Sequence, residues 1–93
     1  MFELNVVVTI YSKDNSFGKT GIFRRQIKRE CIIVPRKGDL YEFSEDCLET
    51  VSRIAILLNN EIWVFIDLDR LSWDREDLED IPKLFELERW EEY

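Results

Sequence analysis

Histidine is missing from all 93 residues. With it go the commonest general base, the usual partner of a Ser or Cys nucleophile and the imidazole metal ligand. Catalysis on this chain would fall to carboxylates, lysines or tyrosines. Cysteine is scarce as well: Cys31 and Cys47 stand without a secretion signal and read as two reduced, buried thiols rather than a disulfide. No apolar run approaches the ~20 residues needed to span a bilayer. The opening MFELNVVVTIY lacks the basic start and small-residue cleavage site of a signal peptide. A cytoplasmic protein with no membrane partner is the expectation. Internal repeats, low-complexity tracts and linkers are absent too.

What is present fits one domain over 1–93, with 45% hydrophobic and 13% aromatic residues. A nucleotide fold with a separate substrate domain would need more chain, since domains usually run about 100–150 residues each.

Residues 2–11 alternate, Phe2, Leu4, Val6, Val8 and Ile10 on one side against Glu3, Asn5, Thr9 and Tyr11 on the other, as in a half-buried strand. SKDNSFGKTG supplies turn residues for a hairpin connection. Over 22–34 the positions Phe23, Ile27 and Cys31 suit a helix or a strand. The β-branched end Ile32-Ile33-Val34 and the flanking Gly21 and Pro35 favour strand. PRKGD is a tight turn leading to a strand over 39–43, and SEDCLET is a loop or one helical turn. The apolar runs 51–58 and 61–68 read as central strands joined by a two-residue turn at Asn59-Asn60. Residues 74–91 read as helical, Asp74 capping and Pro82 in a first turn, with Ile81, Leu84, Phe85 and Trp90 near one face.

Gly18-Lys19-Thr20 ends like a phosphate-binding loop, and WVFID places Asp67 after an apolar strand as a magnesium aspartate would stand. The motif requires a glycine where Lys13 is, and a helix after Thr20 where a strand is expected, so a hairpin loop is the better account. The acidic run from Asp67 to Glu79 fails as a calcium loop: Ser72 stands where glycine is needed and Leu78 where the bidentate glutamate belongs. Eleven acids between Asp67 and Glu92 make any carboxylate pair unremarkable. No catalytic residue, metal ligand or cofactor is assigned.

Charge is distributed unevenly. Residues 19–37 carry seven Lys or Arg and one Glu, a balance of +6, whereas 38–93 sum to −12 and the whole chain to −7. On a strand, Arg24, Gln26, Lys28 and Glu30 share one face, and Arg25 and Arg29 share the other with Phe23 and Ile27. The basic segment is either a phosphate-contacting strip of Arg24, Arg25, Lys28 and Arg29, or a solvated edge strand paired to the acidic helix. The acidic end offers the opposite function, in which Trp73 with Asp74, Glu76, Asp77 and Glu79 meets a basic protein surface. Trp63 reads as core, and Trp90 as the residue that seats the helix.

VPRKGDLYEF, the apolar hairpin and LFELERWEE together resemble small bacterial and phage proteins with an SH3-like barrel, over about the last two-thirds of the chain. That resemblance implies a mostly β, α+β fold: a five-stranded antiparallel barrel or curved sheet with a C-terminal helix, and no activity. Charge and aromatic placement, not the resemblance, lead to the reading of a non-enzymatic protein-binding module, an acidic inhibitor of immunity or anti-defence type that acts on a nucleic-acid-handling protein. A nucleic-acid- or nucleotide-binding barrel is the alternative, and a homodimer can form through an open sheet edge.

Overall fold

The computed structural model describes residues 1–11, 22–44, 47–69 and 83–93. Strands β1 (Phe2–Tyr11) and β2 (Ile22–Cys31) pair antiparallel along their whole length, from Phe2 opposite Cys31 to Tyr11 opposite Ile22. The first two segments are therefore adjacent ribbons, and residues 22–31 are strand. Gly18-Lys19-Thr20 lies between them, outside the described residues. The turn at Arg36–Asp39 forms as its residues predict: Gly38 takes a φ of 90°, the Asp39 amide donates to the Arg36 carbonyl at 3.0 Å, and Asp39 Oδ2 accepts from the Arg36 amide at 2.8 Å.

Strands β3 (Leu40–Ser44) and β4 (Cys47–Thr50) form a separate antiparallel ladder. SEDCLET is thus not a loop or helical turn at its end. The backbone of Leu40–Ser44 needs partners, and Cys47–Thr50 provides them. Strands β5 (Arg53–Ile56), β6 (Ile62–Asp69) and β7 (Glu91–Glu92) join β1 and β2 in one five-stranded sheet of order β5-β6-β1-β2-β7.

Two expectations are corrected by this order. The sheet is not purely antiparallel, because β6 runs parallel to β1, from Leu4 beside Ile62 to Tyr11 beside Asp69. A parallel pair needs a crossover of a dozen or more residues. Here β2, the β3–β4 hairpin and β5 lie within that connection. Nor is the sheet a closed barrel: β5 and β7 are its edges, and the 39–43 segment lies outside it.

The centre is β1, not 51–58. Every residue from Leu4 to Ile10 is buried, on both faces, as expected of a strand flanked on both sides with consecutive valines at 6–8. By contrast β5 is an edge strand. The turn after it has three residues, Leu58 to Asn60, with Asn60 alone at positive φ (66°) and a Leu57–Glu61 backbone bond of 2.9 Å closing it.

On the inner face Leu4, Val6, Val8, Ile10, Val64, Ile66 and Leu68 pack with Phe43, Val51, Phe85 and Trp90. Residues 83–87 form a helix, α1, that lays Phe85 on this core. The expected helical range of 74–91 overshoots at its end, and 74–82 lie outside the described residues. Arg89 adopts a left-handed φ of 64°, the Trp90 amide donates to the Phe85 carbonyl at 2.9 Å, and the Arg89 amide donates to Glu86 at 3.2 Å. Those bonds define a Schellman stop. Its usual apolar contact is the Phe85–Trp90 ring pair, 4.6 Å between centroids. The chain is thereby turned back to pair β7 with β2.

No described helix is long and apolar enough to cross a membrane. Cys31 and Cys47 are not joined in a disulfide; the first is half-buried and the second buried.

Candidate functional site

Of the residues singled out by sequence, Trp73, Asp74, Glu76, Asp77 and Glu79 lie outside the described residues. The basic set lies on β2 and is divided by the alternation of the strand. Arg24 and Lys28 are exposed on the outer face of the sheet, opposite Thr9 and Asn5. Arg29 turns to the inner side, where its Nη2 stands 3.3 Å from Glu88 Oε2 and its guanidinium lies 5.1 Å from the centre of the Trp90 ring. Arg25, half-buried, donates from Nη1 to the Arg24 carbonyl at 2.6 Å. The four cations are not one strip.

Arg29 belongs to a structural knot. Glu88, at the end of α1, also accepts from Ser44 Oγ at 2.6 Å and from Trp90 Nε1 at 2.9 Å, joining β2, β3 and the helix stop. Tyr41 borders the same knot, its hydroxyl 4.0 Å from Cys31 Sγ. Burial pushes the Tyr41 phenol above its ordinary value of 10.0, an effect that the neighbouring Arg29 opposes.

A different surface emerges from the register. Glu3 lies opposite Glu30 across β1–β2, and Leu4 lies beside Ile62, which sets Glu61 next to Glu3. Two carboxylates thus face each other on β1 and β2, and a third stands at the residue just before β6, with neighbouring strands about 4.8 Å apart. Glu61 shares the outer face with Trp63, whose Nε1 donates to Glu61 Oε2 at 3.1 Å. Among the described residues none of the three is in an ion pair, and they do not form a metal-holding group.

Seven of the twelve exposed large hydrophobic side chains among the described residues are also at this end. Met1 and Phe2 open β1, Ile32 and Ile33 follow β2 at 80% and 76% exposure, and Ile56, Leu57 and the fully exposed Leu58 close β5. Single exposed hydrophobics are normal, but several large ones gathered at one place mark contact surfaces. The residues come from positions 1–3, 30–33 and 56–61. Their grouping depends on strand order, which no local pattern in the sequence carries.

The outer face farther along the strands is aromatic. Trp63, expected in the core, is only half-buried there, stacked near Phe65 (6.3 Å, 19°) and edge-on to Tyr93 (6.0 Å, 62°). Its even-numbered neighbours Ile62 and Val64 take the inner positions. Arg53 of β5 lies over the Phe65 ring at 4.2 Å. One row, Arg53, Phe65, Val7, Gln26 and Glu91, crosses all five strands.

Comparison with known protein families, curated proteins and solved structures yields no match.

Proposed function

We propose that this chain is a non-enzymatic protein-binding module, and that it engages a partner that is both basic and apolar. The observation that carries the reading is the Glu61–Glu3–Glu30 row set against the exposed Met1, Phe2, Ile32, Ile33, Ile56, Leu57 and Leu58. Like charges directly opposite one another on a sheet are destabilising, so a cationic partner relieves the row while its apolar side covers the uncovered side chains. The net charge of −7 adds long-range attraction for such a partner. An inhibitor that occupies the basic groove of a nucleic-acid-handling protein fits this chemistry. The SH3-like resemblance of the turn and hairpin stays part of the proposal and lends it no residue.

The alternative, phosphate contact through Arg24, Arg25, Lys28 and Arg29, has less support, because Arg29 is engaged with Glu88 and Trp90. A homodimer through the open edge of β5 is a further occupant of the same end.

The test is fluorescence anisotropy with a labelled amphipathic Lys/Leu peptide and its Glu/Leu counterpart. The Lys/Leu peptide should bind, the Glu/Leu peptide should not, and a Leu58→Ser, Ile33→Ser double variant should lose binding while its melting temperature holds. Equal binding of both peptides removes the role of the carboxylates. Concentration-dependent dimerisation in light scattering, abolished by the same double variant, would show instead that a second copy covers this end.

A further inference from the structure

Away from that end, the outer face contains a hollow of about 230 Å³ bordered by Thr9, Arg24, Arg53, Phe65, Asp67 and Tyr93. The register builds it. Thr9 is flanked by Asp67 on β6 and Arg24 on β2, and the next row on the same face places Phe65 beside Val7 and opposite Arg53. Two cations and one anion therefore border one depression. Yet among the described residues neither arginine forms an ion pair with Asp67, or with any other carboxylate.

Such an arrangement suits a group that presents acceptors to the arginines and donors to the carboxylate, on a flat body that stacks. The hollow is smaller than the roughly 300–1,000 Å³ clefts that enclose drug-sized ligands, so it takes one ring system. Phosphate alone satisfies the arginines but is repelled by Asp67. Guanine satisfies all three: its O6 and N7 accept from arginine, and its N1–H and N2–H groups donate to a carboxylate. Arg53, already laid over Phe65, and the Tyr93 ring supply stacking surfaces of the kinds that hold unstacked bases.

We infer that this hollow is a guanine-binding site, with Arg24 donating to the O6/N7 edge of the base, Asp67 accepting from its N1–H and N2–H groups, and the Arg53 guanidinium, laid over Phe65, forming the stacking wall with Tyr93. The base can arrive on a free nucleotide or in a single strand. This site is separate from the acidic and apolar end, and does not depend on the protein-binding proposal.

Fluorescence anisotropy and calorimetry on the full chain, with the hexamers UUGUUU and UUAUUU and with GMP and AMP, test it. UUGUUU should bind at least about tenfold more tightly than UUAUUU, a ratio within reach of one good bidentate contact. Asp67→Asn should erase that ratio, since its amide can donate to either base. Arg53→Gln should weaken the guanine probes, with an unchanged melting curve showing that the fold is intact. GMP binding as tightly as UUGUUU assigns the site to free nucleotide, and a clear advantage for the hexamer assigns it to a single strand. Equal affinity within both pairs, the two hexamers and GMP against AMP, indifference to Asp67→Asn, or no binding of any probe at millimolar concentration overturns the inference.

Discussion

Glu3 faces Glu30 directly across the β1–β2 pair, and Glu61 stands on the other side of Glu3. The repulsion is a property of the register, so replacing one member should stabilise the fold while harming the proposed contact. Glu30→Lys converts the repulsion into a cross-strand attraction worth about 0.5–1 kcal/mol. Urea unfolding should show that gain. In the same variant the Lys/Leu peptide should bind about two- to fivefold more weakly, as expected of one exposed charge pair. A variant that gains stability and keeps its full affinity would separate the row from binding.

Glu88 holds three donors from three elements, Arg29, Ser44 and Trp90. Ser44 is buried, so removing its acceptor leaves a hydroxyl without that bond as well as a guanidinium without its carboxylate. Glu88→Ala should destabilise by about 2–4 kcal/mol, the range for orphaned buried polar groups and their charged partners. Glu88→Gln, which keeps an acceptor for Ser44, should lose roughly half as much. Chemical denaturation of the two variants checks the order.

Much of the fold can be read from local pattern, because the alternation of β2 and the left-handed positions Gly38 and Asn60 are set by neighbours in the chain. The division of Arg24 and Lys28 from Arg25 and Arg29 follows from that alternation alone. What local pattern does not carry is strand order. Val6-Val7-Val8 marks a strand buried on both faces, yet nothing near it says that β6 lies alongside in parallel. The acidic row, the apolar end and the guanine hollow all depend on that pairing, which brings residues 3 and 61, or 9 and 67, side by side. Trp63 shows the consequence: its apolar character suggests core, and the parity of β6 puts it outside.

The raised proton affinity of Tyr41 gives the protein an alkaline limit. The native state holds the phenolic proton more tightly than the unfolded chain, whose value is near 10.0. Its contribution is therefore complete below pH 10 and is lost as pH climbs from there through the native value. Tyr41→Phe has no proton to lose. As pH rises above the unfolded value of 10.0, denaturation midpoints of the parent should fall more steeply than those of the variant; well below it the two slopes should coincide. Parallel slopes throughout would mean that burial of the phenol does not survive in solution.

Arg89 supplies the left-handed residue of the helix stop, a position that most chains give to glycine. A side chain there sets Cβ against the following carbonyl and costs roughly 1–2 kcal/mol. Arg89→Gly relieves that strain, partly offset by the greater freedom of glycine in the unfolded chain, so a net gain of about 0.5–1 kcal/mol is expected. Arg89→Ala keeps the Cβ and should show no such gain, which separates backbone relief from the loss of a charge. Urea midpoints of the two variants, with equal slopes, decide it. The stop also fixes where Trp90 meets Phe85 and where β7 joins β2, so the glycine variant should leave the near-ultraviolet signal of Trp90 unchanged.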